Sequence, residues 1–87
     1  MQLTLSKDAQ QFLEGLPPKP FRQLTLTLFR LMQAPQPHDS KPLIGAPYWR
    51  VDSGEYRILY DWTADTVRIV LIGKRNDDEV YRRIKRR

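Results

Sequence analysis

The sequence contains no cysteine and only one histidine, His38. Disulfide bonds and cysteine-based zinc sites are therefore excluded, so stability must come from an apolar core or from a partner protein. The absence of cysteine fits a reducing compartment, and we expect the protein to be cytoplasmic. His38 lies in a proline-rich stretch that offers no supporting shell, so we interpret it as an ordinary exposed side chain rather than a catalytic base.

Long hydrophobic runs are also missing, because the densest one, residues 67–72, is interrupted by Arg68. Neither a signal peptide nor a membrane span is predicted, and we expect no membrane partner. The sequence has no glycine-rich phosphate loop, zinc-ligand spacing or nucleophile elbow, so we predict no cofactor and no metal. The acidic residues 77–79 are interpreted as the N-terminal cap of a helix rather than as metal ligands.

The chain has 87 residues, which is the length of one domain, placed at residues 1–87. A domain of this size forms one core and no second lobe, so we expect any functional site to be an open groove. The formal net charge is +5, and residues 81–87 contain five basic residues and no acidic one. This charge is compatible with a polyanionic partner, but many soluble proteins are equally basic without binding nucleic acid.

The first third of the sequence predicts a strand followed by two helices. Leu3 and Leu5 alternate with polar residues, which indicates a short first strand. Ser6 is a suitable N-cap for a helix over residues 7–14. Three prolines then mark a turn and the start of a second helix over residues 19–33, so that the two helices form a hairpin.

The second helix has an ambiguous pattern, because residues 24–28 alternate between leucine and threonine as a strand would. The length of the apolar pattern favours the helix. Its predicted buried stripe consists of Phe21, Leu24, Leu28, Leu31 and Met32. Residues 34–47 contain four prolines and are predicted to form a loop, since proline has no amide donor for regular structure.

The second half predicts a three-stranded antiparallel meander. Its strands are residues 48–52, 55–62 and 66–73, with a tight turn at residues 53–54. A short C-terminal helix follows. The predicted fold is therefore α+β: an N-terminal strand, a two-helix hairpin, a three-stranded antiparallel meander and a C-terminal helix. We expect the helices to cover one face of the sheet and to leave the other face for function.

An arginine set on this sheet is the strongest candidate for chemistry. Arg50 and Arg57 lie on adjacent predicted strands, Arg75 follows the third strand, and Tyr81 lies in the last helix. Antiparallel pairing would bring them onto one surface, where guanidinium groups can bind phosphate oxygens and stabilise developing charge. Tyr81 could stack on a base or transfer a proton. Arginines on an exposed sheet face are common, however, and often only keep an edge soluble.

The motifs around these residues resemble the RelE family of bacterial toxins, in the mRNA interferase branch of the RelE/ParE superfamily. The matching segments are Arg50-Val51, Ser53-Gly54-Glu55-Tyr56-Arg57-Ile58-Leu59-Tyr60, Ile72-Gly73-Lys74-Arg75 and Glu79-Val80-Tyr81, preceded by residues 41–45. The resemblance implies a RelE-like, microbial-ribonuclease-like fold and the toxin of a type II toxin–antitoxin system. It also implies a metal-independent endoribonuclease that cleaves mRNA in the ribosomal A site, where the 2′-hydroxyl attacks the adjacent phosphate.

The resemblance assigns roles to individual residues. Arg57 matches the arginine that neutralises the scissile phosphate, Arg75 matches a phosphate clamp, and Tyr81 matches a tyrosine that orients the substrate base. Arg50 is the expected partner in proton transfer. Asp52 departs from the family, which often has a second basic residue there. The expected RNA-binding residues are Lys74, Arg82 and Arg83.

The implied partners are a cognate antitoxin, the ribosome with its mRNA, and operator DNA, the last only through the antitoxin. The antitoxin is expected to block the basic face or to displace the last helix. Two alternatives stay open at the level of sequence. The first is a ParE-like, non-enzymatic toxin that binds DNA gyrase. The second is a catalytically degenerate toxin that acts only through antitoxin and operator binding, and Asp52 favours this alternative.

Overall fold

The computed structural model describes residues 1–37, 39–76 and 79–84. Within these residues, the helices and strands follow in the order β1 (Gln2–Leu5), α1 (Lys7–Glu14), α2 (Pro18–Gln33), β2 (Lys41–Pro42), β3 (Trp49–Ser53), β4 (Tyr56–Trp62), β5 (Thr66–Lys74) and α3 (Glu79–Ile84). The interpretation of His38, the capping role of residues 77–78 and the end of the basic tail at residues 85–87 concern positions outside the described residues.

One five-stranded sheet has the order β1-β5-β4-β3-β2. The meander of β3, β4 and β5 is antiparallel, as predicted, while β1 pairs with β5 in parallel. A register shift at residues 59–60 leaves Val70 as an extra residue of β5. Such a bulge increases the local twist of the strands. The α+β fold predicted from the sequence is confirmed, with a larger sheet.

The strand β2 corrects the prediction of a continuous loop over residues 34–47. Lys41 lies opposite Arg50, and Pro42 lies opposite Trp49. Pro42 can belong to a strand here because β2 is the outermost strand of the sheet. Proline is tolerated on an edge strand, where its missing amide donor has no neighbour to bond.

One face of the sheet forms the main core with α1 and α2. Its fully buried members include Ile58, Tyr60 and Ile72, which pack with Leu24 and Leu28 of α2. The helical interpretation of residues 24–28 is confirmed, because Leu24 and Leu28 point inward, whereas Leu26 is exposed. The threonines between them bond back to the preceding turn, as Thr25 Oγ1 donates to the Phe21 carbonyl at 2.8 Å.

The outer side of α2 carries large apolar side chains that the fold leaves uncovered. Phe21, Leu26 and Phe29 are all exposed. The prediction that Phe21 belongs to the buried stripe is therefore wrong. Phe21 lies in the first helical turn beside the prolines, where the stripe that continues through the buried Leu24 and Leu28 begins, and its side chain is 41% exposed. No helix within the described ranges is long and apolar enough to cross a membrane.

The helix α3 packs against the opposite face of the sheet. Val80 is fully buried with Leu59, Val70 and Leu71 in a second, smaller core. The expectation that all helices lie on one face is wrong for α3. The position of α3 on this face follows from an apolar row along the middle strands. Leu59 and Leu71 lie directly opposite each other, and α3 shields them from water. The part of this face that α3 leaves uncovered lies beside the helix, where β3 ends and β4 begins.

Candidate functional site

The centre of the site is a carboxylate–guanidinium pair between two neighbouring strands. Asp52 of β3 lies directly opposite Arg57 of β4. Arg57 donates from Nε to Asp52 Oδ1 at 2.8 Å and from Nη2 to Asp52 Oδ2 at 3.3 Å. The Arg57 side chain is only 13% exposed, and its hydrogen bonds to Asp52 raise the pKa of Arg57 above its ordinary value, although burial opposes this shift. Arg57 therefore carries a fixed positive charge.

Tyr81 joins this pair from α3. The Arg57 Nη1 donates to the Tyr81 hydroxyl at 2.9 Å, and the guanidinium carbon lies 5.4 Å from the centre of the Tyr81 ring. The aromatic ring thus contacts the cation through its face as well as through its hydroxyl. Val80, the neighbour of Tyr81, fixes the helix by its burial, so that Tyr81 is held above the sheet at the side of Arg57.

Arg75 completes the group that we call the arginine site, defined by Asp52, Arg57, Arg75 and Tyr81. Arg75 follows β5, and its backbone amide donates to the Glu55 carbonyl at 2.9 Å. Its Nη1 lies 3.9 Å from Asp52 Oδ2, and the side chain is 52% exposed. The structure therefore places two arginines around one carboxylate, with the inner guanidinium buried and the outer one open to solvent.

Arg50 lies on the same sheet face as the arginine site, because it stands two positions before Asp52 on β3. It is half-buried and contributes no ion pair among those found in the described residues. Its neighbour across the edge is Lys41. Sequence reasoning missed Lys41, since nothing in a proline-rich segment indicates a two-residue strand. Two cations directly opposite each other repel, which favours an anion as a third partner.

The predicted RNA-binding residues occupy three different positions. Lys74 stands opposite Tyr56, which packs on Phe12 of α1, so Lys74 belongs to the face opposite Arg57. Arg82 is exposed on α3. Arg83 is mostly buried, donates from Nη1 to the Ile72 carbonyl at 3.0 Å, and forms an ion pair with Asp8 of α1. Burial lowers the pKa of Arg83, and its contacts are those of an anchor for α3.

The arginine site can bind an anion and stabilise negative charge. Three N–H groups of Arg57 are engaged by Asp52 and Tyr81, and the guanidinium has further donors left over. Beside Arg57, Arg75 presents its guanidinium group to solvent. No set of three or more potential metal-ligating side chains occurs in residues 1–37, 39–76 and 79–84. Guanidinium groups in the arrangement of Arg57 and Arg75 bind phosphate-like oxygens.

Comparison with known proteins gives matches among solved structures. No protein-family model and no curated protein sequence matches the chain. The toxin–antitoxin complex RelBE2 from Mycobacterium tuberculosis contains a chain that is 26% identical, with a TM-score of 0.75 over 85% of this chain and 96% of that chain. A mutant of the E. coli toxin RelE in the free state is 23% identical, with a TM-score of 0.77 over 98% and 95% of the two chains.

A YoeB/ParE toxin from Agrobacterium tumefaciens is also similar, with 15% identity and a TM-score of 0.71 over 86% of this chain and 99% of that chain. At such identity the similarity establishes the fold alone. RelE structures recur among the matches, from bacterial and archaeal sources. The resemblance drawn from the motifs around Arg57 and Arg75 is therefore confirmed, and the chain has the fold of the RelE toxin family.

Proposed function

We propose that this protein is the toxin of a type II toxin–antitoxin system and that it cleaves mRNA on the ribosome. The observation that carries the proposal is the convergence of Arg57, Arg75 and Tyr81, from β4, the end of β5 and α3, on one carboxylate-centred site. These are the residues that match the RelE motifs. The similarity to the RelE toxin and to the RelBE2 toxin–antitoxin complex supports the assignment as a toxin.

In the proposed reaction, the 2′-hydroxyl oxygen attacks the adjacent phosphorus and the bond from phosphorus to the 5′-oxygen breaks. The products are a 2′,3′-cyclic phosphate and a free 5′-hydroxyl. Arg57 and Arg75 neutralise the charge that grows on the non-bridging oxygens, where fixed cations stabilise the transition state most. Tyr81 orients the neighbouring base by stacking. Arg50, two positions from Asp52 on β3, assists the proton transfer.

An open site of this kind depends on external positioning of its substrate. The arginine site has no histidine, so it gains less from acid–base catalysis than a His-based ribonuclease would. Holding the RNA in a reactive geometry supplies a large share of the barrier reduction in such cases. The ribosome, which holds mRNA in a defined path, provides that geometry in this proposal.

We propose an antitoxin as the protein partner. Several of the similar solved structures are complexes of RelE with RelB. Two features of this chain support a protein ligand. The exposed Phe21, Leu26 and Phe29 present apolar surface on α2, and residues 18–33 contain basic but no acidic side chains. An acidic, partly apolar chain would complement both features. Any contact with operator DNA would run through that antitoxin.

The proposal is tested with purified ribosomes programmed with a defined mRNA. Arg57→Ala and Arg75→Ala should each lower the cleavage rate by about a hundredfold or more, which is typical for loss of one charge-stabilising group. Arg68→Ala is the matched control, because Arg68 lies on the same sheet but pairs with Asp61 outside the arginine site. It should retain the wild-type rate.

Three outcomes would contradict the proposal. If the wild-type protein leaves ribosome-bound mRNA intact, the enzymatic function is wrong. If both alanine variants cleave as fast as the wild type, the site is wrong. If expression of the protein breaks chromosomal DNA while mRNA stays intact, a gyrase-directed activity replaces the proposed one.

A further inference from the structure

Asp52 holds the position in which a bound phosphate would be expected. Its two carboxylate oxygens accept from Nε and Nη2 of Arg57, and Oδ2 also lies 3.9 Å from Nη1 of Arg75. A carboxylate and a phosphate bind guanidinium in the same forked geometry. The anion that bridges the two arginines of this site is thus part of the chain itself.

A comparison with a second pair on the same sheet shows what is particular to Asp52. Asp61 and Arg68 also face each other across neighbouring strands, with Arg68 Nε donating to Asp61 Oδ1 at 2.6 Å. That pair has the ordinary form of a cross-strand ion pair, because Arg68 is 58% exposed. Arg57 is far less exposed, at 13%, and its carboxylate also reaches a second arginine.

The exposure of the groups indicates how the site can exchange its anion. Arg57 donates to Tyr81 as well as to Asp52 and is 13% exposed, whereas Asp52 is 33% exposed and Arg75 is 52% exposed. The carboxylate can therefore turn toward water while Arg57 keeps its hydrogen bond to Tyr81. An incoming phosphate would approach from the side of Arg75 and take the oxygen positions that Asp52 gives up.

We propose that Asp52 is an internal competitor for the phosphodiester of RNA. This inference rests on the proposed function, in which RNA is the substrate of the arginine site. When no RNA is bound, Asp52 offsets one of the two positive charges of Arg57 and Arg75 and contacts both guanidinium groups. A phosphodiester must therefore displace Asp52 before it can bind both arginines. Free RNA makes few other contacts with the protein that could offset this competition. RNA that is held in place by the ribosome overcomes it, because its phosphate is presented at a high effective concentration. Asp52 thus makes the site selective for positioned RNA.

The test measures binding rather than cleavage. The probe is a short 2′-deoxy oligonucleotide, which carries phosphodiesters but no 2′-hydroxyl and cannot be cleaved by the proposed reaction. Its affinity is measured by fluorescence anisotropy at low salt. Asp52→Asn should bind the probe about tenfold more tightly than wild type, a change of about 1.4 kcal/mol. Asp61→Asn changes the net charge equally and should tighten binding by about twofold at most, through general attraction alone.

Asparagine keeps a carbonyl oxygen that can accept from Arg57 Nε, so the hairpin should stay folded, which thermal unfolding checks. Asp52→Ser serves as a second variant without charge and should also bind more tightly than wild type. The proposal is wrong if Asp52→Asn binds no better than Asp61→Asn. Weaker binding than wild type also overturns it, since Asp52 would then position Arg57 for phosphate. These outcomes are separate from the proposed function, because cleavage by the wild-type protein on ribosomes does not depend on them.

Discussion

Tyr60 is the largest side chain of the fully buried core. Its hydroxyl donates to the Pro35 carbonyl at 2.7 Å, so the phenol ties the sheet to the segment that follows α2. Burial raises the pKa of Tyr60 above its ordinary value of 10.0, and the side chain stays protonated in the folded state where it would ionise in the unfolded chain. The stability that it contributes therefore depends on pH.

The direction of this dependence follows from the raised pKa. Well below pH 10 the proton is bound in both states, and the contribution of Tyr60 is complete. As the pH rises above this value, the unfolded chain loses its proton first, and the free energy of unfolding falls. Tyr60→Phe should cost about 1 kcal/mol at neutral pH through the lost hydrogen bond. The free energy of unfolding of this variant should also fall less than that of wild type between pH 8 and pH 11, a range that spans the ordinary titration of tyrosine.

Urea unfolding at both pH values measures these free energies. If the free energy of unfolding falls equally in wild type and Tyr60→Phe as the pH rises, Tyr60 does not cause the loss of stability at alkaline pH. The neutral-pH comparison acts as an internal control, because it isolates the hydrogen bond to Pro35 from the titration.

At the scale of residues, the sequence predicts which side chains lie together better than it predicts their contacts. The motifs select Arg57, Arg75 and Tyr81, and the structure brings all three together. The position of Asp52 opposite Arg57 depends on strand register, which residue types alone do not specify. Lys74 illustrates the same limit, since its neighbour Arg75 reaches the site while Lys74 belongs to the other face.

At the scale of elements, α3 is a short helix that is held by few anchors. Val80 is buried in the smaller core, Tyr81 contacts Arg57, and Arg83 bonds to the Ile72 carbonyl and to Asp8. A helix of this length is not stable by itself in water, so it depends on these contacts. The position of Tyr81 in the arginine site is therefore set by how firmly α3 is docked.

We predict that burial of Val80 contributes more to this docking than the ion pair of Arg83. Val80→Ala should cost about 2 kcal/mol, because it removes buried methyl groups and leaves a cavity. Asp8→Asn should cost about 1 kcal/mol or less, because the pair is partly open to water. Amide hydrogen exchange of residues 79–84 measures both effects locally, and exchange in β4 is the reference. A larger rise in exchange for Asp8→Asn than for Val80→Ala would contradict this ranking.

Most elements could be predicted from their patterns, and the exceptions have physical reasons. Ser6 caps α1 as expected, since its Oγ accepts from the Ala9 amide at 3.0 Å. The strand β2 was missed because its pairing comes from β3 and not from its own two residues. The face on which α3 packs was also missed. That choice follows from the bulge at Val70 and the apolar row beside it, which only the register of β4 and β5 reveals.

At the scale of the whole molecule, the sheet joins residues that are far apart in sequence. The strand β1 pairs in parallel with residues 66–69 of β5, so about two thirds of the chain lies between the two strands. Bringing such distant segments together costs chain entropy, and contacts of this kind tend to form late in folding. By contrast, β3, β4 and β5 are joined by short turns and form a local unit.

This difference predicts the folding kinetics of a core variant. Leu5 packs from β1 onto the main core. Leu5→Ala should destabilise the protein by about 2 kcal/mol, and the change should raise the unfolding rate while leaving the refolding rate nearly unchanged. Stopped-flow mixing with urea measures both rates. Leu26→Ala is the control, because Leu26 is exposed on α2 and its removal should change neither rate. Slower refolding of Leu5→Ala would place β1 in the early nucleus.

The position of α3 in the chain has a consequence for the protein's own biosynthesis. Translation proceeds from the N-terminal side of a chain, so Asp52 and Arg57 are made before Arg75 and Tyr81. The partner residues of β1, 66–69, are also made before them. Until Arg75 and Tyr81 emerge, the arginine site consists of the ion pair between Arg57 and Asp52 alone. A nascent chain therefore carries no assembled site, and the ribosome that makes the protein is spared the proposed reaction until residue 81 has been released from it.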